Sequence, residues 1–332
     1  MTYIDWIIAI IPLFFILSLA LYSGKYVKGV VDYLAAGRLA GRYVICVGDM
    51  AAGLSVITLV AYVEMHYQTG FAMTFWSNML TPLGIAMALT GYCVYRFRET
   101  RALSIGQFLE MRYNRPFRVF ASGLRTLTEM LINAIGPVIA ANFFIAFLGL
   151  PQTVSIAGFS IPSFLLVIAT VLFLAVMVIL PGGRISLLLT DCFQGLLSYP
   201  IFVLIVVYVL MTFSWKSEIV PVMLDRASGE SFLNPFDIEK LRDFNVFALI
   251  VRVISTILNR ANWIGNDTTS SGRTPHEQKM AGVLGAWRNG FSMLMCLVLA
   301  VMMITLMNHQ NFAEEAHEIR QDLSKGASAT SM

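Results

Sequence analysis

YVICVGDMAAGLSVITLVAYVEMHYQTG, Tyr43 to Gly70, has the length and apolarity of a membrane-crossing helix, but also the residues of one that breaks. A span needs about 20 apolar residues to cross a ~30 Å hydrocarbon core. Asp49 sits inside the run, between Gly48 and Met50, and the weak helix formers Gly53 and Ser55 follow it. A carboxylate at the bilayer centre costs roughly 3 kcal/mol on insertion scales, so such a residue marks a functional site or meets a partner on a neighbouring helix. The segment is therefore expected to be discontinuous and to carry the chemistry of the chain.

Composition fixes the class. Of 332 residues, 57% are hydrophobic and only 13% are charged, and the mean hydropathy is +0.72. A soluble domain of this size does not keep such a surface in water, so the chain reads as an all-α polytopic membrane protein. Cys46, Cys93, Cys192 and Cys296 fall singly inside apolar runs, which suggests neither a disulfide framework nor a zinc site. Nothing points to nucleic acid or to an enzyme. Gly182-Gly183 lacks the Lys-Ser/Thr of a phosphate loop, and the four histidines have no ligand or catalytic spacing.

Outward from the opening stretch, apolar runs at Trp6–Tyr22, Phe71–Tyr95, Val119–Leu150, Ile161–Leu180, Ile185–Phe213, Phe244–Ala261 and Met280–Met307 bring the expected spans to about eight. Residues 1–24 hold a leading helix, since Asp5 and the lack of Lys or Arg before the run are wrong for a secretory signal. Residues 25–42 form a basic linker. Val119–Leu150 contains Pro137, which removes a helical hydrogen bond, so a kink or tilt is expected there. Glu129 and Arg252 lie inside spans as a candidate structural pair, and Glu64 and His66 at the outer end of the opening stretch read as solvated flank residues, with use in a gate as the alternative. Ser104–Tyr113 puts Ile105, Phe108 and Leu109 on one face, as a short interfacial helix does. Residues 214–243 read as a partly helical outer loop. The polar tail 308–332 is expected to be disordered.

Counting Lys and Arg by loop places sixteen on one side and six on the other, with Arg252 inside a span. The positive-inside bias then puts the sixteen in the cytoplasm and both termini outside the inner membrane.

Four stretches carry a family resemblance. DYLAAGR (32–38), SIGQFLEMRY (104–113), PGGRISLLLTDCFQG (181–195) and GRTPHEQKMAGVLGAW (272–287) resemble landmarks of the sodium:solute symporter family in order and separation. The most specific is the Gly-Gly turn followed by Thr190, Asp191 and Gln194, and Gly48-Asp49-Met50 is closest to the sodium/proline branch. The resemblance implies a LeuT-like inverted-repeat core, with Na⁺ held near the midplane by the unwound backbone of discontinuous helices. It places the carbonyls of Val47 and Met50 against the ion, gives Asp49 a nearby charge, and assigns Asp191 to sodium coupling or exit. A solvated helix-start acid is the alternative for Asp191. Ala52, Gly53 and Ser55 would line the solute cavity. Na⁺ is the coupling ion, with no cofactor and no transition metal.

The sequence departs from the family where it has Ala51 rather than Ser after Met50, and Val56–Val60 lacks the usual glycines. In family terms, residues 43–213 make the whole first repeat and 244–307 only two helices of the second. The core is thus expected to be incomplete, a truncated or split form for which a second polypeptide would supply helices. Two readings stay open: Na⁺-coupled symport of a small organic solute (amino acid, sugar or carboxylate), or a non-transporting solute-sensing or accessory subunit. The partners expected are the solute, the bilayer and that second polypeptide.

Overall fold

A computed structural model of the chain describes residues 3–156, 159–240, 245–258 and 271–330. The described elements are α1 (Tyr3–Ser23), α2 (Val30–Ala35), α3 (Arg42–Ala52), α4 (Val56–Ser77), α5 (Thr81–Thr90), α6 (Tyr92–Glu99), α7 (Ile105–Arg112), α8 (Arg115–Leu148), β1 (Thr153–Ile156), β2 (Phe159–Pro162), α9 (Ser163–Thr212), α10 (Val220–Leu224), α11 (Val246–Leu258), α12 (Pro275–Asn308) and α13 (Ala313–Thr330). Outside the all-α reading there is an antiparallel hairpin, in which Thr153 pairs with Pro162 and Ile156 with Phe159.

The opening stretch is two helices. Leu54 N–H bonds Ala51 O at 2.9 Å, an i→i+3 closure that ends α3, and α4 starts at Val56. Gly53 keeps φ −74° and ψ −16°, so the break comes from the ladder ending and not from a left-handed glycine. A second interruption, at Gly70 with φ 58° and ψ −147°, divides α4 itself.

Broken helices account for part of the difference between the spans expected and the four described helices that are individually long and apolar enough to cross a membrane, which are α1 (with the turn to Tyr26), α8, α9 and α12; the span expected at 244–261 is described only over Val246–Leu258. The expected span over Phe71–Tyr95 is divided at Asn78–Leu80 and again at Gly91, where φ is 61°. Conversely, α9 runs for 50 residues. A straight helix of that length would reach about 75 Å, more than twice the hydrocarbon thickness. It turns at Gly183 (φ 51°, ψ −125°). Ser186 Oγ donates to Val178 O at 2.6 Å across that turn, whereas residues eight apart in a straight helix are separated by about 12 Å along the axis. The two runs expected at 161–180 and 185–213 are thus the two arms of α9.

The chain divides into two compact units. The first comprises residues 1–57, 85–197 and 259–288. Here Phe15 of α1 meets Phe193 of α9 with ring centroids 4.3 Å apart. Ser104 Oγ caps α7 by accepting Gln107 N–H at 3.2 Å, while Leu103 N–H donates to Gln107 Oε1 at 2.8 Å. This reciprocal cap fixes the start of the interfacial helix read from SIGQFLEMRY, and Phe108 seats on Phe97 at 5.6 Å.

The second unit comprises residues 58–84, 198–258 and 289–332. Its core gathers Val209, Phe213, Ile219, Val222, Met223, Phe232, Leu297, Val301 and Ile304. The segment expected to be an outer loop thus contributes Ile219, Val222, Met223 and Phe232 to a hydrophobic core. Ala72 N–H donates to Phe232 O at 3.0 Å and Trp76 Nε1 to Pro235 O at 2.7 Å. The polar tail is helical in α13, contrary to the disorder expected of it. Glu314 and Glu315 in its first turn favour the positive end of the helix dipole, and Arg320 Nη2 ties it back to Met307 O at 2.7 Å.

Candidate solute and ion site

The carboxyl end of α3 packs on α9 through glycines, and both partners belong to the first unit. A Cβ on Gly48 would stand 3.2 Å from Leu188 Cδ2 and 3.9 Å from Asp191 Cβ. A Cβ on Gly195 would stand 2.7 Å from Val47 Cγ1, 3.4 Å from Val47 O and 3.5 Å from Ala51 Cβ. Small residues on both helices let the backbones approach, which is the packing mode available when lipid removes any hydrophobic drive between helices. Asp191 therefore lies against the residue next to Asp49. Two charged groups act on it, the Asp49 carboxylate and the Arg184 guanidinium about two turns earlier on α9.

The sequence-derived site residues divide by environment. Val47 is half-buried, in regular helix against Gly195, and Met50 is buried, with its sulfur 3.7 Å from Cys46 Sγ. Asp49 and Asp191 are half-buried, while Ala52, Gly53 and Ser55 are exposed at the break. Asp49 O accepts Gly53 N–H at 3.2 Å, but the amide that would close a helical turn on Met50 O, that of Leu54, bonds Ala51 O instead. The Met50 carbonyl is thus released from the ladder, as a backbone ligand for a hard cation must be. Thr190 is different: its buried hydroxyl donates back to the carbonyls of Ser186 and Leu187, at 3.0 and 3.1 Å.

Arg42, at the start of α3, forms a clasp that no local sequence pattern indicates. Its Nη2 and Nε donate to Glu277 Oε1 and Oε2 at 2.6 and 3.0 Å, and its own amide donates to Oε2 at 2.8 Å. These bonds and the Glu277 charge hold the Arg42 guanidinium above its ordinary pKa. Beside it, Ala40 bridges Gly272, with Arg273 N–H donating to Ala40 O at 2.9 Å. Arg98 sends Nε and Nη2 to Gly272 O at 3.1 and 2.6 Å, and burial together with the nearby charges of Arg38 and Arg101 pushes its pKa down. Ala40 and Arg42, just after the DYLAAGR landmark, and the GRTPHEQ landmark are thus the two sides of one contact.

His66 is a correction. It is 2% exposed and donates from Nδ1 to Tyr62 O at 2.6 Å, so it is a core residue of α4 and not a solvated flank. Glu64 accepts from Gln68 Nε2 at 3.3 Å in an exposed setting. Glu129 has a partner on its own helix, Arg125 at 3.6 Å, and accepts from Asn133 Nδ2 at 3.2 Å. The Arg252 side chain, the other half of the expected pair, lies outside the described residues.

No family model matches the sequence, and no curated protein does. Among solved structures, the substrate-bound, outward-open state of a Na⁺-coupled sialic acid symporter is similar, with a TM-score of 0.74 and 19% identity over 92% of this chain. The match covers 61% of that symporter, so the chain spans about three-fifths of its neighbour's length. The likeness is one of fold. The chain has a mostly helical, LeuT-like architecture.

Proposed function

We propose that these residues form part of a Na⁺-coupled symporter for a small organic solute in the cytoplasmic membrane, with both termini outside. The observation that carries the reading is the α3–α9 contact, in which Gly48 and Gly195 bring Asp49 beside Asp191 at the helix break where the Met50 carbonyl leaves the ladder. Two like charges held together in a low-dielectric setting repel, and a bound cation relieves that repulsion. Na⁺ takes this place, with the Met50 carbonyl as an oxygen ligand, the Val47 carbonyl behind it, and Asp49 and Asp191 as the charge.

Ala52, Gly53 and Ser55 are exposed immediately beyond the ion position, and the solute is read to lie over them. Sodium then drives transport only through a difference in its affinity between the two access states, since a ligand that binds both equally shifts neither. The structural neighbour moves a sialic acid. For this chain the amino acid, sugar and carboxylate classes are the solutes to assay, together with a second polypeptide as a candidate source of further helices.

The test is solute uptake into proteoliposomes under an inward Na⁺ gradient, with K⁺ as control, run alongside Na⁺-dependent thermal stabilisation of the purified chain. Sodium-dependent uptake is expected, and uptake equal in Na⁺ and K⁺ overturns the coupling. Sodium-dependent solute binding without uptake favours the sensing or accessory reading.

A further inference from the structure

The turn that joins α12 to α13 is built around one imidazole. His309 follows Asn308, the last residue of α12, and both nitrogens of its half-buried ring are in use. Asn311 N–H donates to Nδ1 at 3.1 Å and caps the 3₁₀ turn Gln310–Phe312. A backbone amide can only donate, so Nδ1 carries no proton. The ring proton is then on Nε2, which donates it to Ser217 O at 3.2 Å, 92 positions earlier in the chain. Hydrogen bonding thus selects one neutral tautomer.

Ser217 belongs to the π-helical turn Trp215–Ile219, a rare geometry that is frequent at functional sites. A second bond runs beside the first. Asn311 Nδ2 donates to Glu218 Oε1 at 3.2 Å, while Glu218 Oε2 accepts Ser214 N–H at 2.7 Å. Phe312 closes the joint, its ring centroid 5.2 Å from Phe213 and 6.0 Å from His309. All of these residues belong to the second unit. The charged and titratable groups about His309 are Lys216 and Glu218 on the π-helical turn and, in the first two turns of α13, Glu314, Glu315, His317, Glu318 and Arg320, the last bonded to Met307 O. The last turns of α9 and α12 bring none.

A cap alone needs no histidine, since Asn caps a turn without titrating. His309 differs in tying its cap to a bond across the chain through one rigid plane. A proton on Nδ1 sets N–H against N–H, and a ring that swings off Asn311 also leaves Ser217 O.

We propose that His309 is a proton-operated latch between the end of α12 and the π-helical turn, closed while the ring is neutral and opened when Nδ1 takes a proton. Opening frees the π-helical turn and the start of α13 together. Imidazoles change charge between about pH 5 and 8, so mild acid on that side of the membrane is the signal.

The test is amide exchange of the full 332-residue chain in detergent, at about pH 8 and about pH 5, corrected for the intrinsic pH dependence of exchange. In acid, protection of residues 215–219 and 310–320 should fall together by about tenfold, the worth of one to two hydrogen bonds. H309N keeps an acceptor for the Asn311 amide and should hold one level of protection at both pH values. H309K has no acceptor and should show low protection already at the higher pH. H317N and E218Q should keep the wild-type response, which separates His309 from the groups that titrate nearby. Ring-nitrogen NMR shifts of histidine-labelled protein, with the His309 signal identified by its absence in H309N, should show Nε2–H at the higher pH. An Nδ1–H ring there, equal protection at the two pH values in the wild type, a response retained in H309N, or one lost in H317N or E218Q overturns the proposal.

Discussion

Gly195 of α9 faces Val47 of α3 so closely that a Cβ on it would lie 2.7 Å from Val47 Cγ1, while the nearest atom to the same addition at Gly48 would be Leu188 Cδ2, at 3.2 Å. The two glycines are unequal. A leucine methyl at the end of its side chain moves aside readily, but Val47 is β-branched and has its carbonyl and Ala51 directly behind the contact.

Gly195→Ala is therefore expected to lower stability by about 1–3 kcal/mol through overpacking, and Gly48→Ala by less. Thermal unfolding of the detergent-solubilised variants checks the ranking. An equal loss at both positions would show that the α3–α9 approach is looser than described.

Asp49→Asn removes one of the two charges at the break without changing shape. The concentration of Na⁺ needed for half-maximal solute uptake is expected to rise on the order of tenfold, while the ranking of solutes stays as in the wild type. A Na⁺ response unchanged in Asp49→Asn, measured in the same vesicles, removes Asp49 from the ion site.

Arg42 and Glu277 give a charge-swap experiment. Glu277→Gln leaves both the guanidinium and the Arg42 amide short of a charged acceptor, so amide exchange over Ala40–Cys46 should quicken. Arg42→Glu with Glu277→Arg should restore slow exchange for the side-chain contact, yet leave the Arg42 amide bond to Glu277 unrestored. Full recovery by the swap would show that the amide bond adds nothing.

Gly183 and Gly282 predict opposite signs for one substitution. Gly183 holds φ 51°, and a Cβ there would sit 2.6 Å from Tyr33 O, so Gly183→Ala is expected to cost at least about 2 kcal/mol and to reduce the folded yield sharply. Gly282 lies within α12 with nothing within 4 Å of an added methyl, and Gly282→Ala should stabilise by about 0.5–1 kcal/mol. Melting temperatures and fluorescence-detected gel filtration separate the two.

Much of this is legible in the residues. Asp49 beside Gly48, with Gly53 close behind, announces a break because helix propensities and the desolvation of Asp49 act locally. The short helix over Ser104–Tyr113 reads from its apolar face for the same reason. His66 does not read correctly, because a polar residue near a span end is solvated or buried according to what packs over it. The helical tail is not legible either, since its polar composition resembles a disordered segment, while the Arg320 bond to Met307 that helps hold it depends on folding.

The sequence by itself determined a membrane class, a broken first core helix and the acids Asp49 and Asp191, since hydropathy, propensity and charge act over a few neighbouring residues. Only the tertiary structure decided that Gly48 and Gly195 bring those acids together, and that Arg42 finds Glu277 across 235 positions of chain. Such contacts depend on backbones approaching within van der Waals distance, which no periodicity records.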